Sequence, residues 1–339
     1  MVGTFLSEMN IVFVGNFQTG PGGEPADEVH ITRELEDAGN KVFKIPRDEW
    51  REYVIEKCPR GKYNVPEFQN KKIDIAIICK WHHFYDDSFI TTLRSKYNCP
   101  VFYWVWDFME GHTVGDWHMN MAQVADLYLS GEIGLAHWYR QNKVKFYYLQ
   151  FDVVDGSMPY FTSKEKKYNV IYMGSCINQG GRLDMLKAIN KDIPITVFGH
   201  DFETWRKEGF NAYPAVYGAE ANKVIAESNI VLGTSCGPRC FGYWSNRVGR
   251  TLYAGGFLLQ WYTPGMESFI GGGCDYFSTP EEAVTKIQRY LGDPDLILKK
   301  KEEAYCQRET WTSEYKVKQL LVLIDRYIND PHTDLWMLP

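Results

Sequence analysis

No run of about eighteen apolar residues occurs in this chain, so no membrane-spanning helix is expected. The opening residues, MVGTFLSEMN, carry no basic stretch ahead of a long apolar core, and no secretory signal is expected there. Cysteine is sparse: eight in 339 residues, scattered, with Cys79 and Cys99 inside apolar segments. That excludes a disulfide framework and points to a reducing, cytoplasmic setting. Cys236 and Cys240 have no second Cys or His pair at zinc-like spacing, so no metal site is expected. An excess of positive charge is also missing, since 37 Lys and Arg face 43 Asp and Glu for a net −6. This argues against a general nucleic-acid binder and leaves only a local basic groove open. The clusters Lys164, Lys166, Lys167 and Lys299, Lys300, Lys301 read as solvated faces. A dinucleotide fingerprint is lacking as well. The loop after the first apolar run holds Gly15, Gly20, Gly22 and Gly23, interrupted by Pro21 and Pro25. No internal repeat is present.

What is present fits two α/β domains. The length is comfortable for two. Aromatic residues make up 15% of the chain, with 11 Trp and 22 Tyr, and core packing is their usual use. Short apolar runs alternate with helical patterns. Residues 10–15, 41–45, 73–79, 100–106, 125–130 and 145–150 read as strands of a first sheet, with helices near 27–38 and 87–97. The pattern loosens between Phe151 and Lys167, where a boundary is expected. A second set of strands follows at 168–173, 195–198, 230–232 and 257–259. The expected division is 1–160, 161–312 and a C-terminal helix and tail, 313–339, that could cross back to the first domain.

Chemistry should sit at the carboxyl ends of such strands. The stretch YWSNRVGRTLYAGGFLLQWYTPGMESF, residues 243–269, reads as a helix, a Gly255-Gly256 turn, a buried strand and a loop. Arg247 and Arg250 beside a backbone that glycine allows to approach closely would suit a diphosphate. Gly174 and Ser175 follow the strand YNVIYM, and Arg182 follows a polar loop, where a helix start and a guanidinium both favour an anion. A simple strand-to-helix turn with a surface Arg is the alternative. His200 ends the strand TVFG, where it could reach a ligand or serve packing alone. Asp107 ends the strand VFYWVW as either a cleft carboxylate or a turn residue. Trp81, His82 and His83 follow another buried strand. Adjacent His residues point apart in extended chain, which argues against shared ligation.

The segments 243–269 and GSCINQGGR, 174–182, resemble the C-terminal half of GT-B glycosyltransferases, in particular their CgeB-like, group 1 branch. The resemblance spans about 165–310, with a weaker likeness to phage DNA glucosyltransferases. It implies an α/β GT-B fold, two Rossmann-like doubly wound domains facing across a cleft. The first domain would present an acceptor and the second would bind a nucleotide-sugar such as a UDP-sugar, with no further cofactor required. Arg247 would neutralise the leaving diphosphate, with Ser245 and Asn246 beside it, and Gly174, Ser175, Arg182 and His200 would complete the donor site. Relatives carry Glu three residues after this Arg, on the ribose. Here that position is Arg250, and Glu267 could take over the contact. Asp107 matches the catalytic Asp of the phage pattern and would act as general base in an inverting transfer. Trp81, His82, Glu110 and His112 would line the acceptor cleft. Other uses of this frame stay open: DNA as acceptor, a sugar-nucleotide epimerase, or a non-catalytic sugar-nucleotide-binding or structural protein, which Arg250 favours.

Overall fold

The structure is a computed structural model, and it describes residues 8–20, 25–47, 65–68, 71–79, 86–106, 116–150, 154–237 and 239–330. The chain divides into two compact units, residues 1–151 with 317–339, and residues 152–316.

The first unit is built on one parallel sheet. Its elements run β1 (Asn10–Gly15), α1 (Asp27–Asp37), β2 (Lys41–Pro46), β3 (Ile75–Cys79), α2 (Asp87–Tyr97), β4 (Val101–Val105), α3 (Asp116–Val124), β5 (Leu127–Ser130), α4 (Ala136–Gln141) and β6 (Phe146–Tyr148). The strand order is β2-β1-β3-β4-β5-β6. Every pairing is parallel. A parallel sheet covered by helices on both faces buries both sides of each strand, which is why IAIIC and VFYWV are apolar throughout and fully buried. Helix α2 starts where Asp86 accepts the Ser88 N–H at 3.0 Å and stops at Asn98, in the left-handed region (φ 48°). Asp126 ties the next elements together, accepting Arg94 Nη2 at 2.8 Å and the Val101 N–H at 2.8 Å.

The second unit repeats the scheme: β7 (Tyr168–Met173), α5 (Arg182–Asn190), β8 (Thr196–Gly199), α6 (Phe202–Lys207), β9 (Asn211–Pro214), α7 (Gly218–Ala226), β10 (Ser228–Gly233), α8 (Arg247–Tyr253), β11 (Leu258–Trp261), α9 (Met266–Phe269), β12 (Cys274–Phe277), α10 (Pro280–Gly292) and α11 (Pro294–Cys306). Its strand order is β12-β11-β10-β7-β8-β9, again all parallel. Two of these strands, β9 and β12, were not expected. They are four-residue edge strands with polar positions, NAYP and CDYF, and so carry no apolar run to mark them. The chain leaves β7 toward β8 and β9, then returns to build β10, β11 and β12 on the other side. The order therefore reverses between β7 and β10, and the carboxyl edge at this pair is where open α/β sheets receive ligands.

The last helix, α12 (Ser313–Asn329), begins in the second unit and ends in the first. Val317, Leu320, Leu321, Ile324 and Tyr327 recur at helical spacing and are buried, and the Tyr327 ring meets Phe102 of β4 edge-on at 5.0 Å.

Candidate functional site

The carboxyl edge of the second sheet gathers the basic and polar groups. Arg247 opens α8 and is half-buried. Its Nη1 donates to the Tyr172 hydroxyl at 3.1 Å and to the Thr234 carbonyl at 3.3 Å. The guanidinium also lies over the Tyr172 ring, 5.4 Å from its centre. Tyr172 belongs to β7, and Thr234 directly follows β10. The cation is thus fixed at the two strands between which the sheet order reverses. Thr234 Oγ1 approaches the same Tyr172 hydroxyl at 3.4 Å, and both Tyr172 and Thr234 are buried. Every anchor of Arg247 is neutral. Among the described residues no carboxylate pairs with it, so none of them cancels its charge through an ion pair.

The loop from Gly174 to Gly181 packs beside this cluster. The Gly174 N–H donates to the Phe198 carbonyl at 2.9 Å, and the Gly174 carbonyl accepts Trp205 Nε1 at 3.0 Å. A Cβ on Gly174 would come within 2.8 Å of the Tyr172 hydroxyl oxygen. A Cβ on Gly199 would lie 2.5 Å from the Gly174 carbonyl oxygen, so two bare backbones are needed for this approach. Asp201 accepts the Cys176 N–H at 2.7 Å and holds the loop from the other side.

The start of α5 is closed by its own chain. Asn178 Oδ1 accepts the Leu183 N–H at 3.0 Å and the Asp184 N–H at 3.2 Å, occupying two first-turn amides. Arg182 is buried, and its Nε donates to the Ile177 carbonyl at 3.2 Å, so it braces the loop. Ser175 is half-buried on that loop. Ser245 and Asn246 are half-buried ahead of Arg247, and Arg250 is half-buried one turn along α8. His200 is exposed after β8, with the Tyr217 hydroxyl 2.9 Å from its Nδ1. Glu267 is exposed on α9 and accepts the Tyr262 hydroxyl at 3.1 Å.

The Gly255-Gly256 turn has a different task from the one its sequence suggested. Gly255 takes a left-handed φ of 68°, and the Gly256 N–H donates to the Thr251 carbonyl at 2.9 Å, the hydrogen bond that ends a helix. A Cβ on Gly255 would meet the Tyr160 ring at 2.5 Å, and one on Gly256 would meet Ile225 at 2.5 Å. The pair closes α8 and lets it pack, at the amino edge of the sheet and away from Arg247.

Asp107, Trp81, His82, Glu110 and His112 lie outside the described residues. Among the described residues no group of three or more His, Cys, Asp or Glu side chains could hold a metal ion. No helix among them is long and apolar enough to cross a membrane. Tyr172 and Thr234 were missed in the sequence. The signal available was modest: a hydroxyl-bearing residue at the end of each apolar run, YNVIYM and SNIVLG-T.

Residues 182–322 match the model of a family described as glycosyl transferase-like. No curated protein matches the sequence. Among solved structures, the chain is similar to sucrose-phosphate synthase from Thermosynechococcus elongatus, with a TM-score of 0.67 at 9% identity, covering 95% of this chain and 100% of that one. Anabaena HepE in complex with UDP and glucose gives a TM-score of 0.62 at 12% identity, covering 93% and 99%. An alpha-glucosyltransferase in complex with UDP and a DNA 13-mer containing an HMU base gives 0.61 at 13% identity, covering 94% and 100%. The protein therefore has the GT-B fold, with two parallel six-stranded sheets and flanking helices.

Proposed function

We propose that this protein is a glycosyltransferase that moves a sugar from a nucleotide-sugar, with UDP the favoured carrier, to an acceptor hydroxyl. The observation that carries this reading is the Arg247 guanidinium, held on neutral anchors at the reversal point of the second sheet. When the glycosyl bond breaks, its electron pair leaves with the diphosphate, which gains one further negative charge. A cation already held in place stabilises that charge without reorganising at the moment of reaction. Gly174 and Ser175 would bring backbone to the same diphosphate, while Arg182, through Ile177, keeps their loop in position. Ser245, Asn246, His200, Arg250 and Glu267 are the further donor contacts in this proposal, with Glu267 toward the ribose. Support comes also from the UDP and glucose held by the structurally similar HepE. Within the GT-B proteins, the GS…R and Arg247 arrangement favours the CgeB-like branch.

Asp107 is the proposed general base, taking the proton of the acceptor hydroxyl as its oxygen attacks the anomeric carbon. Trp81, His82, Glu110 and His112 are the proposed acceptor contacts. Direct attack of this kind inverts the anomeric centre, and NMR of the product tests it. Retention would remove Asp107 from the role.

DNA as acceptor is a second reading, favoured by the likeness to the alpha-glucosyltransferase bound to UDP and DNA. The net charge of −6 weighs against it. The deciding experiment is turnover over a panel of UDP-, GDP- and dTDP-sugars, read as release of nucleoside diphosphate, with and without duplex DNA bearing a hydroxymethylated base. UDP release is expected, and silence over the whole panel would leave a non-catalytic binding protein. Release that depends on the DNA would establish the second reading.

A further inference from the structure

One lysine from each of the two sequence clusters lines a common cavity, at the opposite edge of the sheet from Arg247. Lys166 lies just before β7, and Lys301 lies on α11. Both residues are half-buried. Lys166 Nζ also donates to the Ser163 carbonyl and, at 2.7 Å, to the Ala226 carbonyl. Lys301 Nζ donates to the Ser228 carbonyl. Among the described residues neither lysine forms a salt bridge. The nearby Glu227 pairs instead with Lys167 at 2.8 Å. Both lysines line a cavity of about 610 Å³, within the range of small-molecule sites. Its other walls include Tyr160, Phe161, Leu298 and Tyr305, with Glu302 and Cys306 also on the lining. Arg308 adds a further cation next to it, 4.8 Å from the Tyr305 ring centre and 5.8 Å from that of Tyr160.

We propose that this cavity is a second ligand site, for a small organic acid whose anionic head rests on the Lys166–Lys301 pair and whose apolar body lies among Tyr160, Phe161, Leu298 and Tyr305. Two half-buried amines lining one cavity repel each other when both are protonated and no counter-charge lies between them. Burial, followed by the neighbouring Lys166, pushes the Lys301 ammonium down to about 7. A carboxylate or phosphate seated between them would supply the missing charge and accept N–H donors, and the aromatic walls would cover the rest of the molecule. The site is separate from the one proposed for the donor. It lies at the amino ends of β7 and β10, and six residues of strand put roughly 20 Å between the two edges.

Isothermal titration of the full chain tests this with 4-phenylbutyrate and phenyl phosphate as the two acids. Inorganic phosphate serves as the head alone and 4-phenylbutanol as the body alone. At least one acid is expected to bind ten times tighter or better than both the head and the body, and UDP is expected not to displace it. Lys301→Met and Lys166→Met should each weaken that acid tenfold or more. Should either variant fail to fold, Leu298→Trp, which enlarges an exposed lining residue and leaves both amines in place, should weaken binding by a similar factor. Affinity for the acid no better than for inorganic phosphate, affinity unchanged in the folded variants, displacement by UDP, or no binding of either acid would each overturn the proposal. None of these outcomes depends on sugar transfer.

Discussion

Arg247 Nη1 donates to the Tyr172 hydroxyl at 3.1 Å, joining two residues 75 positions apart in sequence. The Tyr172 ring is locked from behind, meeting Trp205 edge-on at 5.6 Å. Tyr172→Phe keeps that packing and removes only the oxygen that Arg247 and Thr234 share. The expected cost is about 1 kcal/mol of stability, read from the midpoint of urea unfolding. If the donor site is as proposed, turnover should fall several-fold with it, because the cation loses one of its two anchors. Unchanged turnover would mean that the Thr234 carbonyl alone fixes the guanidinium.

Arg247→Ala should lower turnover of the preferred sugar nucleotide by about 100- to 1,000-fold, the usual scale for removing one fixed charge-stabilising donor. The fold should survive with a loss of about 1–2 kcal/mol, since the buried Tyr172 hydroxyl and Thr234 carbonyl lose their Nη1 donor. Arg247→Lys restores the charge without the planar fork and should recover only part of the loss. Near wild-type turnover in Arg247→Ala would leave the proposed function without its main support.

Gly199→Ala tests the close approach under the loop that begins at Gly174. The added methyl would sit 2.5 Å from the Gly174 carbonyl oxygen and 3.0 Å from Trp205 Nε1, and neither can move without shifting β8 or the loop. A destabilisation of about 1–3 kcal/mol is expected by calorimetry, the range for overpacking. Gly209→Ala is the control for a glycine with open space. Nothing lies within 4 Å of its Cβ position, and its cost comes only from its left-handed φ of 88°.

Asn178→Ala removes the acceptor for two first-turn amides of α5 and should cost about 1 kcal/mol. The freed amides face the loop that carries Gly174 and Ser175. The affinity for UDP, measured beside stability, distinguishes a pure cap from a loop whose shape the cap maintains.

In the first unit, His118 is fully buried among Tyr103, Tyr128 and Tyr139, with the Tyr103 hydroxyl 2.9 Å from Nδ1 and the Tyr139 hydroxyl 3.1 Å from Nε2. Burial pushes its pKa down to about 3. In the unfolded chain it returns to about 6.5, so below that pH the unfolded state binds the extra proton. Its contribution is therefore fully present above pH 6.5 and is lost as pH falls toward 3, with about 2 kcal/mol gone by pH 5. His118→Gln, which cannot titrate, should be less stable at pH 7 and should show a shallower decline between pH 6.5 and 5 in urea unfolding. Parallel pH profiles would show that His118 is not the group responsible.

Much of the architecture was legible because it is local. A parallel strand buried on both faces must be apolar along its length, so NIVFVG, IAIIC, VFYWV and YNVIYM announce themselves. The position of Arg247 at the head of a helix, and of Gly174-Ser175 after a strand, follows from the same alternation. The edge strands β9 and β12 were not legible, because hydrogen bonding to a neighbour, and not composition, makes them strands. The roles of the glycines were only half legible. The sequence shows that Gly255 and Gly256 turn the chain, but the contacts with Tyr160 and Ile225 give the reason for it.

By itself, then, the sequence determined the alternation of strand and helix, the two α/β halves and the residues that stand at strand ends, since each depends on neighbours a few positions away. Only the tertiary structure decided that Arg247 rests on Tyr172 and Thr234 and that Lys166 and Lys301 line one cavity. Those contacts join segments far apart in the chain. They exist because sheet order and helix packing bring the segments together, and no local pattern of residues encodes that.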